Sequence, residues 1–128
     1  MVDSSSRRKV TVILAADVVG YSTMMEANEE QTLKNLTACR TIVDSLIEAH
    51  HGRIFNTAGD SVLAEFPSAV EAVFCAREFQ ESIRGRNNSV EEAERMEFRV
   101  GINMGDVVVK GDNFLGEGVN GASRLEAL

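Results

Sequence analysis

Two aspartates, a short glycine-bearing junction and an Asn/Arg pair are the residues of this sequence whose types and spacing could do chemistry. Asp17 follows the run Val10-Thr11-Val12-Ile13-Leu14-Ala15-Ala16. That run is apolar and β-branched enough for a strand covered on both faces. Asp17 therefore falls at the strand's C-terminal end, where a side chain can leave the core for a cleft. Asp60 follows Gly59 in the compact turn Ala58-Gly59-Asp60, between the strand patterns Arg53 to Thr57 and Ser61 to Phe66. If the strand starting near Arg53 lies beside the first strand, both carboxylates reach one edge of a sheet. Two converging carboxylates completed by water form a hard-oxygen cage suited to Mg²⁺ or Mn²⁺. Taken singly, each acid also fits a turn former or a helix cap.

Two further features are compatible with a phosphate ligand. Val18 to Ser22 joins a strand to a helix. Gly20 lets the backbone approach a ligand there, and the N–H groups of Val19, Gly20, Tyr21 and Ser22 can cradle phosphate. Asn120 and Arg124 are four apart in an expected helix and share a face. An Asn can orient a hydroxyl, and an Arg can neutralise charge on a phosphoryl group. A surface Arg and a helical Asn with no ligand fit that spacing equally.

These residues must be positioned by the elements around them. After the first strand, Asn28 can cap a long helix with Glu29 and Glu30 in its first turn, an arrangement the helix dipole favours. Leu33, Leu36, Cys39, Val43, Leu46 and Ile47 give its apolar stripe, and Gly52 stops it. The hairpin follows, ended by Pro67. Ser68 and Glu71 have capping-box spacing. The second helix carries Ala69, Val73, Ala76, Phe79 and Ile83 on one face. Gly85 to Glu94 reads as a polar loop. Phe98, Val100, Ile102 and Met104 alternate as a strand, which Gly105-Asp106 turns into Val107-Val108-Val109. Lys110 to Gly118 reads as a loop, and Asn120 to Leu128 as the start of a third helix. The order β-α-β-β-α-β-β-α predicts an α+β sandwich with helices on one face of a mixed sheet.

Composition narrows the function classes. The chain has 128 residues, 44% of them hydrophobic and 26% charged, enough for one domain with a real core. A net charge of −7 disfavours nucleic-acid binding but not a small phosphate ligand held through a divalent ion. No apolar run approaches a membrane span, and Arg7-Arg8-Lys9 before Val10 is better read as the lead-in to a buried strand than as a signal peptide. Residues 1–8 read as a polar arm. Cys39 and Cys75 each fall in a helical stripe and read as small buried hydrophobes in a reducing cytoplasm. No His and Cys cluster resembles a zinc site.

Four stretches, in order, resemble the class III nucleotidyl cyclase catalytic domain, the adenylate and guanylate cyclase family. They are Ala16-Asp17-Val18-Val19-Gly20-Tyr21-Ser22, Asn56 to Phe66, Phe98 to Gly105, and Gly116 to Glu126. The resemblance spans residues 9–128 and implies a ferredoxin-like βαββαβ sandwich, with further strands beyond Leu128 and a basic triphosphate contact among them. It implies conversion of ATP to 3′,5′-cyclic AMP and pyrophosphate with two Mg²⁺ or Mn²⁺ ions per site. Asp17, Asp60 and the backbone carbonyl of Val18 would bind the metals, Asn120 would position the ribose, and Arg124 would stabilise charge on phosphorus. It also implies a homodimer with shared sites, all four side chains being present in one chain. The family's base-reading positions, a Lys and an Asp for adenine or a Glu and a small Cys-like residue for guanine, fall on Asn56 and Asn113, and a one-residue shift would put Asp112 at the second. Both amides can meet adenine or guanine. ATP is the favoured substrate and GTP the other. The alternative is a cyclase-like module that binds nucleotide or dimerises without turnover.

Overall fold

Burial on both sides of one long strand sets the architecture. In the computed structural model, which describes residues 6–110 and 113–115, strand β1 (Ser6–Val18) is central. Val12, Leu14, Ala16 and Val18 project to one face, Ile13 and Ala15 to the other, and all are buried. Then come α1 (Tyr21–Ala27), α2 (Glu29–Ala49), β2 (Arg53–Ala58), β3 (Ser61–Phe66), α3 (Ala69–Asn88), a 3₁₀ turn (Glu92–Glu94), β4 (Phe98–Lys110) and β5 (Asn113–Leu115). No helix of the described residues is long and apolar enough to cross a membrane.

The sheet order is β2-β3-β1-β4-β5, and every neighbouring pair is antiparallel. A mixed sheet was the expectation. Each helical crossover skips a strand, so the strands it makes parallel never become neighbours. For the same reason β3, and not the strand that starts at Arg53, lies beside β1.

One face of the sheet is packed by α2 and α3. Leu36, Cys39, Val43 and Ile47 of α2 meet Ala72, Cys75, Phe79 and Ile83 of α3 in the main core. Leu33 and Val73, both placed on the apolar stripes by spacing, are instead 43% and 52% exposed. The inward positions beside them are Thr32 and Ala72, about 100° round each helix. Thr32 is buried because its hydroxyl donates to the carbonyls of Met24 and Asn28, tying α1 to α2. Cys39 and Cys75 are free, buried thiols, and burial pushes the Cys75 thiol up to about 12.

Helix ends follow local chemistry. The Asn28 side chain accepts from Gln31 N at 3.1 Å, and Ser68 Oγ from Glu71 N at 3.2 Å. At the end of α2, Gly52 N donates to Ile47 O and His51 N to Glu48 O, a Schellman motif. His51, at φ 65°, takes the left-handed position there. Gly52 serves close approach instead, because a Cβ on it would lie 2.7 Å from the Phe66 ring. The carboxylate of Glu71 reaches His50 rather than the helix start, and His50 also bonds Glu78, so α2 ends pinned to α3.

Three segments differ from the pattern reading. Residues 85–88 continue α3, because Arg86 and Asn87 make tertiary bonds that a loop would forgo. Arg86 donates to Asn35 Oδ1 and to Glu94 O, and Asn87 both donates to and accepts from the Met96 backbone. Gly105-Asp106 does not turn the chain. β4 runs through it because the N-terminal half of β1 supplies a continuous ladder, Ser6↔Lys110 to Val18↔Phe98. Ser6 to Arg8, read as part of a polar arm, belong to that ladder. The β1–β4 ribbon bends back over the sheet face opposite α2 and α3, so Val107 and Val109 cover Ile13 and Ala15 beside Phe55 and Leu63. The same curl brings β2 and β5 into contact. The expected helix from Asn120 lies outside the described residues.

Candidate active site

Asp17, the last residue but one of β1, projects to the sheet face opposite α2 and α3. In the β1–β4 ladder Asp17 stands opposite Arg99, so both side chains share that face. The Arg99 guanidinium binds the Asp17 carboxylate with two bonds, Nε to Oδ1 at 2.9 Å and an Nη to Oδ2 at 3.2 Å. The Asp17 side chain is 16% exposed and that of Arg99 44%.

Asp60 arrives at the same place from β3. The two-residue turn Gly59-Asp60 closes the hairpin where Ala58 pairs with Ser61. Because β3 runs antiparallel to β1 (Ala16↔Val62), the turn falls beside the end of β1. Asp60 Oδ2 accepts from the backbone N–H of Val18 at 2.9 Å. Asp60 therefore grips the residue next to Asp17, and both acids line one cleft of about 290 Å³ with Gly20, Ser22, Thr23 and Arg99.

The chain leaves β1 through a short junction. Val19 N donates to Glu97 O at 2.8 Å, and Gly20, at φ 68°, precedes α1. That left-handed φ suits a residue without Cβ. Glu97 is itself fixed from α3, whose Asn87 clamps Met96 and whose Gln80 donates to Phe98 O. Of the four backbone groups read as a phosphate cradle, the N–H of Val19 is thus committed to Glu97, while Gly20, Tyr21 and Ser22 line the cleft.

The donor set is chemically uniform. Asp17, Asp60 and the Val18 carbonyl offer hard oxygens, and a cation in the form of the Arg99 guanidinium already stands against Asp17. Among the described residues no cluster of three or more His, Cys, Asp or Glu side chains forms a metal cage. Two carboxylates, completed by water and ligand oxygens, are the set Mg²⁺ takes in phosphoryl sites.

The base-reading candidates lie elsewhere on the sheet. Asn56 is exposed on edge strand β2, at a register irregularity, opposite Leu63. Asn113 opens β5, opposite Lys110, and its strand is the one that meets β2 across the curl. Asn120 and Arg124 lie outside the described residues. Pattern reading passed over Arg99, although strand alternation sets it on the face opposite Phe98 and Val100.

The described chain is an antiparallel α+β sandwich in which Asp17, near the end of the central strand, and Asp60, in the adjoining hairpin turn, share one cleft. The family model of the adenylate and guanylate cyclase catalytic domain matches residues 2–128, and the chain belongs to that family. It is 43% identical over 129 residues to a Rhizobium meliloti (strain 1021) protein named "Putative adenylate cyclase 3", covering 100% of this chain and 22% of that protein. It thus spans about a fifth of that curated relative's length. Among solved structures it resembles an adenylate/guanylate cyclase/hydrolase from Silicibacter pomeroyi, at 40% identity and a TM-score of 0.87, covering 95% of this chain and 72% of that one. It also resembles the guanylyl cyclase Cya2, at 28% identity and a TM-score of 0.83, covering 95% and 71%. The α+β fold is that of the class III cyclase domains.

Proposed function

We propose that this chain converts ATP to 3′,5′-cyclic AMP and pyrophosphate in a homodimer whose two sites are shared between the protomers. The observation that carries this reading is the meeting of Asp17 and Asp60 in one cleft, with Asp60 holding the Val18 N–H. Asp17, Asp60 and the Val18 carbonyl are the groups that would hold two Mg²⁺ or Mn²⁺ ions. Such ions, when bound, supply charge that makes a ribose 3′-hydroxyl nucleophilic and neutralises the phosphates. The reaction needs no covalent intermediate. The 3′-oxygen bonds to the α-phosphorus as the bridge to the β-phosphate breaks, releasing pyrophosphate and the hydroxyl proton.

The chain's other residues position and stabilise. Gly20, Tyr21 and Ser22 line the side where phosphates would lie. Asn120 of the partner protomer orients the ribose, and its Arg124 meets charge growing on phosphorus. Asn56 and Asn113, carried by strands that touch, face the base edge with groups that both donate and accept. Unbridged Cys39 and Cys75 suit a reducing cytoplasm.

Incubation with Mn²⁺ and either ATP or GTP tests the reading, with cyclic product and pyrophosphate measured. Product from ATP that is lost in Asp17→Ala and in Asp60→Ala supports it. Product from GTP alone moves the substrate to guanine, and nucleotide binding without product at any metal concentration leaves a non-catalytic module. Mixing Asp17→Ala with Arg124→Ala should restore up to about one site per mixed dimer if sites are shared.

A further inference from the structure

The geometry points to Arg99 as an internal counter-ion that occupies the metal face of Asp17 and must be displaced before a divalent cation can bind there. This rests on the reading of Asp17 and Asp60 as metal carboxylates. The guanidinium takes one bond to each oxygen of Asp17, so the lone pairs a cation would use are engaged. A bidentate Arg–carboxylate pair is among the stronger and more directional of ion pairs. β-strand register holds Arg99 opposite Asp17, so the pair forms without a loop rearrangement.

Asp60 stands differently. It spends Oδ2 on the Val18 N–H, a bond that fixes its position without adding positive charge. Among the described residues, two acids and one guanidinium therefore share the cleft. A cation arriving alone must compete with the guanidinium for Asp17 and meets its like charge. A cation arriving with an anionic ligand meets less resistance, because that ligand gives the guanidinium another acceptor. Arg99 is in this sense a positioning residue that couples metal entry to ligand entry, and the coupling is reciprocal.

The test is Mn²⁺ binding to the full chain without nucleotide, read by the electron paramagnetic resonance of free Mn²⁺ and by calorimetry at low salt. Arg99→Gln should bind Mn²⁺ roughly three- to tenfold more tightly than the wild type, the range one ion pair of this kind commands. The gap should narrow as salt is raised, because screening weakens both competition and repulsion. Arg99→Lys, which keeps the charge but loses the two-pronged contact, should fall between, and it carries the test if Arg99→Gln does not fold. Equal Mn²⁺ affinity in wild type and variants overturns the counter-ion role and leaves the metal reading standing. Absence of Mn²⁺ binding in all of them overturns the metal reading, and this inference with it.

Discussion

Asp17 and Glu65 lie on the same face of the sheet, the one opposite α2 and α3, and each is opposed in register by an arginine on the next strand, Arg99 and Arg53. Each acid side chain is 16% exposed and each arginine 44%. What differs is the third charge. Glu65 also receives Lys9 at 3.2 Å, with Arg53 Nε at 2.8 Å, so two cations share one acid. Asp17 has Asp60 beside it, so among the described residues two acids stand against the one guanidinium of Arg99. Each acid lines a cleft of about 290 Å³, so neither burial nor cavity size distinguishes them; among the described residues the balance of charge against each acid does.

The largest effect expected from this contrast is on activity. Asp60→Asn keeps an oxygen to accept from Val18 N but removes the negative charge. Cyclic nucleotide formation should fall by roughly 10²–10³-fold, the loss typical of one electrostatic group in an active site. The thermal midpoint should stay near that of the wild type. A parallel fall in midpoint would show Asp60 to be a structural residue like Glu65.

Glu65→Gln should do the reverse. It removes the charge that Lys9 and Arg53 both meet at this position, and unfolding free energy should drop by roughly 1–3 kcal/mol, the cost of stripping one partner from a charged hydrogen bond. Activity per folded molecule should be kept. Urea unfolding and rates normalised to folded protein separate the two quantities.

The acid limb of stability sharpens the comparison further. Burial pushes the Glu65 carboxyl up, but hydrogen bonds from Arg53 and Lys9, with their charges, outweigh it and hold the group below its ordinary 4.5. A carboxyl depressed in the folded state contributes stability above its unfolded value, and loses it as pH falls through the folded one. Wild-type stability should therefore decline as pH drops below 4.5, and part of that slope should vanish in Glu65→Gln. An unchanged slope would mean that Lys9 and Arg53 do not hold the acid in solution.

Legibility from sequence divides along the same line. Asp17 and Asp60 were readable because each ends a pattern, an apolar run and a glycine turn. Arg99 was not, because alternation gives its face while only the antiparallel register supplies its partner. The Glu65 tie was hidden for the same reason, its partners lying twelve and fifty-six positions away. The two main helices were visible as stripes, yet Leu33 misled, since the inward face at that level is carried by Thr32 and Asn35, whose burial depends on hydrogen bonds to α1 and α3. α1 escaped for want of any buried residue of its own.

The smallest expected effect decides how Glu65 is held. Thr11 Oγ1 lies 3.5 Å from Glu65 Oε2, at the outer limit for a hydroxyl bond, where little energy remains. Thr11 is itself 7% exposed, so its γ-methyl packs whether or not the hydroxyl bonds. Thr11→Val should then change unfolding free energy by no more than about 0.5 kcal/mol. It should leave the acid limb where it was, as measured by urea unfolding at neutral and acid pH. A loss comparable to that in Glu65→Gln would make the hydroxyl a third partner. Glu65 would then be held by a neutral hydroxyl as well as by Lys9 and Arg53, and its difference from Asp17 would no longer be one of charge alone.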